Sequence, residues 1–74
     1  MHMTNRDAAA LAKLASDVED FGRRTGSADA KRAADRLDVA DLRGADDWLD
    51  QAEADGYRVG TLRDRLARIR ARQS

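Results

Sequence analysis

Three features of this 74-residue chain predict an all-α fold, a small bundle of three or four helices with an antiparallel C-terminal helical hairpin. First, Leu11, Leu14, Val18 and Phe21 stand 3, 4 and 3 residues apart, as do Leu42, Ala45, Leu49 and Ala52, and again Val59, Leu62, Leu66 and Ile69. That spacing lines one stripe of a helix and is the period of a seam between two helices. Second, no stretch alternates with period two, so no strand is expected. Third, Pro is absent and fifteen residues are Ala. Ala is the best helix former, loses no side-chain entropy and lets helices approach closely.

The first helix is expected from Thr4 to Gly22. Thr4 and Asp7 resemble a capping box with Asp in place of Glu, and Gly22 and Gly26 bracket Arg23-Arg24-Thr25 as a helix stop and loop. Ser27 is the candidate N-cap of a second helix whose narrow stripe is Ala30, Ala33, Ala34 and Leu37. Between Leu37 and Leu42 the phase slips. A break near Asp38 is therefore preferred, with Asp38 capping a third helix and Asp41 at its third position. The alternative is one helix from Ser27 to Asp55 with Val39 exposed. The third helix runs to about Ala54, where Gly56 supplies a left-handed end. Thr61 with Asp64 would cap the last helix, whose basic final turn suits the negative end of the helix dipole.

Charge is segregated along the chain. Residues 27–56 carry four basic and nine acidic side chains, whereas residues 57–74 carry six Arg against Asp64 alone. Asp46, Glu53 and Asp55 flank one seam, and Arg63, Arg65, Arg70 and Arg72 flank the next. Folded back across residues 55–60, the two helices meet apolar to apolar and acid to base. The same array disfavours a parallel homodimer of the last helix, because Arg would face Arg.

Length allows one domain, residues 1–74, with Met1-His2-Met3 read as a cloning remnant. Leu, Ile, Val and Phe total only twelve residues, so the core is thin and a partner or second copy would help stabilise it. Zero net charge and the lack of Pro argue against disorder. Cys is absent, which excludes disulfides and thiol chemistry and fits a cytoplasmic location. No apolar run approaches the ~20 residues of a membrane span, so no membrane is expected. Twelve Arg to two Lys points to a GC-rich genome, bacterial or phage.

Ala33-Ala34-Asp35-Arg36-Leu37-Asp38-Val39-Ala40 is similar to the first helix and turn of many bacterial helix-turn-helix domains, and Gly56-Tyr57-Arg58-Val59 resembles a phrase from the wing of the MerR family. The resemblance implies a helix-turn-helix-like shape. It does not carry over as DNA reading, because the would-be recognition helix holds Asp41, Asp46, Asp47 and Asp50 against Arg43, and base edges are read by Arg, Lys, Asn or Gln.

Adjacent carboxylates such as Asp46-Asp47 and Glu19-Asp20 point to different helix faces, and general acid–base work needs a buried pair in a pocket. The only His is His2, and the Asp spacing fits no EF-hand loop. No catalytic, cofactor-binding or metal residue is expected, and no enzyme. The preferred function is a protein–protein interaction module, a small regulator, adaptor or phage accessory protein. Its contacts would be Asp46, Asp47, Trp48 and Asp50, with Trp48 as the aromatic anchor, and a homodimer is a further expectation. Core cover is the competing role for Trp48, and Tyr57 is expected to lid the helix ends. The alternative function is nucleic-acid binding through Arg63, Arg68, Arg70 and Arg72. No aromatic side chains interleave with those arginines to stack on bases.

Overall fold

The computed structural model describes residues 3–73; of the three residues read as a cloning remnant, Met1 and His2 lie outside them, and Met3 packs partly buried against the core. Four helices follow one another: α1 (Asn5–Thr25), α2 (Ala28–Asp38), α3 (Leu42–Ala54) and α4 (Gly60–Gln73). No strand occurs among the described residues. Each helix touches its neighbours in the ring α1–α2–α3–α4–α1. Pairings across each contact run in opposite directions: Gly22 lies against Ser27 and Lys31, Arg32 against Trp48, Arg63 against Glu53 and Arg72 against Asp7. The result is an up-down-up-down four-helix bundle, 33 × 18 × 17 Å, whose last two helices form the antiparallel hairpin.

The core follows the 3-4-3 stripes. Leu14, Val18, Leu49, Val59 and Leu66 are completely enclosed, with Leu11, Leu37 and Ile69 nearly so. Phe21, Leu42 and Leu62 pack at its margin, half-buried. α2 offers Ala30, Ala33 and Ala34 to this interior, and these small side chains let α1 and α3 close on it. α4, which brings Leu66 and Ile69, stands off further and is joined to α3 and α1 largely by long charged side chains. The hairpin is therefore one side of the ring, and α2 is the element most tightly enclosed.

Helix ends explain where the segments stop. Thr4 Oγ1 accepts the Asp7 N–H at 3.1 Å, as the capping pattern requires. The Asp7 carboxylate does not return the bond; it reaches the end of α4 instead. Gly22 is not a helix stop. α1 continues through it to Thr25, and Gly26 adopts the left-handed conformation (φ 76°) while its N–H donates to the Gly22 carbonyl. At Gly22 α2 passes close to α1: a Cβ there would lie 2.8 Å from Lys31 Cγ and 3.2 Å from the Lys31 nitrogen.

Ser27 Oγ caps α2 through the Ala30 N–H. The break between α2 and α3 is present, but Asp41, not Asp38, caps α3, its Oδ1 accepting the Gly44 N–H at 3.0 Å. Ala40 takes a left-handed φ of 57° in the connection, and Val39 is left 69% exposed. Thr61 does not cap α4. The helix starts at Gly60, two residues before the start a Thr61 cap would give, with the Arg63 N–H donating to the carbonyl of the buried Val59.

Candidate functional site

The arginines of α4 divide into two rows. Arg63 and Arg70, seven residues apart, face α3. Arg63 lies 3.3 Å from Asp46, 3.2 Å from Asp50 and 3.1 Å from Glu53, and Arg70 reaches the other oxygen of Asp46 at 3.1 Å. Burial would push the Arg63 pKa down, but the hydrogen bond and charge of Asp46, with the charges of Asp50 and Glu53, outweigh it and raise the pKa. Asp46 thus receives both arginines of the row.

The second row, Arg65, Arg68 and Arg72, faces α1, with Arg58 from the preceding connection on the same side. Arg65 donates to Asp17 at 2.7 Å, and Arg72 lies 2.7 Å from Asp7. The expected pairing of these two arginines with the acidic third helix is thus corrected to a pairing with the first. The split follows from the helical period, since residues 65 and 72 lie on one flank of the apolar stripe and 63 and 70 on the other. That signal stands in the sequence as two sets spaced by seven.

Asp55 also departs from the expected acid-to-base seam. It caps α3 at its C-terminal end and accepts a hydrogen bond from Gln51, on the side of α2 where Asp29 lies. Hydrogen bonding with Asp55, then burial and the Asp55 charge, raise the Asp29 pKa, and Arg32 opposes them.

The four α3 residues singled out as contacts do not share one face. Asp46 and Asp50 turn to Arg63. Trp48 turns toward α2, half-buried, with the Arg32 guanidinium 5.0 Å from its ring centroid. Asp47 is exposed and has no ion-pair partner among the described residues. Of the alternative set, Arg63, Arg70 and Arg72 are paired and Arg68 alone is not, among the described residues. Tyr57 closes the α1–α3 end of the bundle, its ring edge-to-face with Phe21 at 6.3 Å.

The surface carries open grooves. Two lie end to end between α1 and α4. One, of about 370 Å3, includes Phe21, Arg24, Arg58 and Leu62; the other, of about 250 Å3, includes Lys13, Arg68, Ile69 and Arg72. Arg65 lines both. Among the described residues no group of three His, Cys, Asp or Glu is placed to hold a metal ion, and no helix is long and apolar enough to cross a membrane. No protein-family model, curated protein or solved structure matches this chain.

Proposed function

We propose that this protein is a non-enzymatic protein–protein interaction module, a small regulator or adaptor, whose contact surface is the outer side of α2 and α3 around Trp48. The observation that carries the reading is the Arg32–Trp48 pair, a cation over a half-buried indole. Trp and Arg are the side chains most often found as binding hot spots. Asp47, the next residue along α3, is exposed, and a partner that offers an apolar pocket to Trp48 and a basic group to Asp47 would match this surface. Asp46 and Asp50 support it indirectly, by holding α4 against the far side of α3.

The rival, nucleic-acid binding by α4, is disfavoured by the same geometry. A phosphate chain would have to take Arg63 and Arg70 from Asp46 and Arg72 from Asp7. Each lost pair is an added cost to binding, and the zero net charge supplies no long-range attraction for a polyanion.

Affinity capture from the source organism, with the wild-type chain and the Trp48→Ala and Asp47→Lys variants side by side, tests the reading. The expected result is a protein retained by the wild type and lost with both variants while their helical circular dichroism is unchanged. Capture that ignores both substitutions, or DNA binding at low salt that vanishes as salt rises, overturns it.

A further inference from the structure

We infer that the groove between α1 and α4 is a second docking site, and that its occupant is an acidic amphipathic helix of another protein. The groove combines two features that seldom occur together on a solvated face. Its rims are cationic: Arg65, Arg68 and Arg72 come from α4, Arg58 from the connection just before it, and Lys13 and Arg24 from α1. Its floor is partly apolar, formed by the half-buried Ala10, Phe21 and Leu62 with the core residue Ile69 beneath. Two antiparallel helices with such a furrow between them present the shape into which a third helix packs its apolar stripe.

Charge complementarity fixes the occupant. Asp17 answers Arg65 and Lys13, Asp7 answers Arg72, and Asp20 is taken by Arg23. Arg24, Arg58 and Arg68 have no anionic partner among the described residues. Fold stability does not require this surplus, since the arginines that fasten α4 to α3 are Arg63 and Arg70. A helix with Leu-type side chains at the 3-4-3 spacing and Glu or Asp on both flanks satisfies the rims and the floor at once. A nucleic acid satisfies neither as well. The one ring there, Phe21, is already engaged edge-to-face with Tyr57 and is not free to stack on a base.

This site goes beyond the Trp48 surface and uses none of its residues. Gly60 to Arg72 spans roughly 18 Å of helix at 1.5 Å per residue, so the probe is a synthetic peptide of about 18 residues with Leu on one stripe and Glu on both flanks. It is titrated into the full-length 15N-labelled protein at low and moderate salt. The expected result is amide shifts at Ala10, Lys13, Leu62 and Ile69. Affinity should weaken with salt and fall about tenfold or more in the Arg58→Glu/Arg68→Glu double variant, neither of whose wild-type side chains has an ion-pair partner among the described residues. Arg43→Glu, an exposed charge reversal on the opposite helix α3, should change affinity less than about twofold. No shifts at millimolar peptide, equal affinity of the double variant, or tighter occupation of the same residues by single-stranded DNA overturns the inference. The amides of Trp48 and Asp47 report separately, so failure at either surface is distinguishable from failure at the other.

Discussion

Arg72, near the end of α4, places its Nε 2.7 Å from Oδ1 of Asp7 in the first turn of α1, and Asp7 is only 3% exposed. The contact is an ion pair without an aligned hydrogen bond, for Asp7 Oδ1 has no hydrogen-bond partner, while Oδ2 accepts from Gln73 Nε2 at 3.2 Å. A buried carboxylate in this position depends on the guanidinium charge and on the positive end of the α1 dipole.

Removing Arg72 should therefore cost more than its own exposure suggests. Arg72→Gln leaves the buried Asp7 carboxyl with Gln73 as its remaining side-chain partner among the described residues, and a loss of about 1–3 kcal/mol is expected. Urea unfolding checks it. Asp7→Ala should make the subsequent loss of Arg72 nearly neutral, so the double-mutant cycle should show coupling. Additive effects would mean that the pair does not hold the ends of α1 and α4 together.

The same two residues show how far the sequence can be read. The helical stripes, the Thr4 and Ser27 caps, the break after α2 and the folding back of α4 all follow from local spacing and cap chemistry, which act within a few residues of each other. A Thr-x-x-Asp pattern ties Asp7 to its own helix because the pattern is local, whereas its partners Arg72 and Gln73 are more than sixty residues away. The Arg65–Asp17 pair escapes local spacing for the same reason. Asp46, Asp47, Trp48 and Asp50 suggest one contact face because they are close in sequence, yet they lie in different directions around α3. Gly22 reads as a stop because glycine usually breaks a helix, and only the crossing of α2 reveals why a side chain is excluded there.

Two carboxylates shift in opposite directions and predict a pH response of mixed sign. The hydrogen bond from Arg65 lowers the Asp17 pKa; burial opposes it, and the charges of Lys13 and Arg65 reinforce it. Asp17 therefore adds stability above the unfolded carboxylate pKa and loses it as pH falls through the lower folded value. Asp29 is raised, chiefly by Asp55. It destabilises the charged native state at neutral pH, and the penalty is relieved as pH falls through its folded value. Asp55 also sits at the negative end of the α3 dipole. Asp55→Asn should thus stabilise the fold at pH 7, with the gain shrinking as pH falls through the raised Asp29 value. Asp17→Asn should destabilise at pH 7 and do little at low pH. Thermal melts across pH 3–8 decide, and a uniform response of the two variants would refute the assignment.

Glycine substitutions separate helix propensity from packing. Gly60 begins α4, and a Cβ added there would meet nothing within 4 Å, so Gly60→Ala should gain about 0.4–1 kcal/mol through the unfolded chain. Gly22 lies inside α1, where Ala would ordinarily gain about 1 kcal/mol. Its Cβ would instead press on the Lys31 backbone nitrogen, and α1 would have to move off α2. Gly22→Ala should show none of the usual gain, and Gly22→Val a loss of about 1–3 kcal/mol. Equal stabilisation by both alanines would remove the close crossing.

The α2–α3 connection holds a correctable strain. Ala40 at φ 57° carries a Cβ in the left-handed region, a conformation that costs a residue with a side chain roughly 1–2 kcal/mol. The Ala40 N–H donates to the Leu37 carbonyl and the Asp41 N–H to the Arg36 carbonyl, so the turn is held by backbone bonds that glycine keeps. Glycine also loses more freedom on folding, which offsets part of the relief. Ala40→Gly should therefore raise stability by a net of about 0.5–1 kcal/mol, read as a higher urea midpoint at unchanged slope. Val39→Ser, beside it on an exposed position, should lie within about 0.5 kcal/mol of wild type. A loss on Ala40→Gly would mean that the helices are joined some other way, as in a single continuous rod, where glycine costs about 1 kcal/mol.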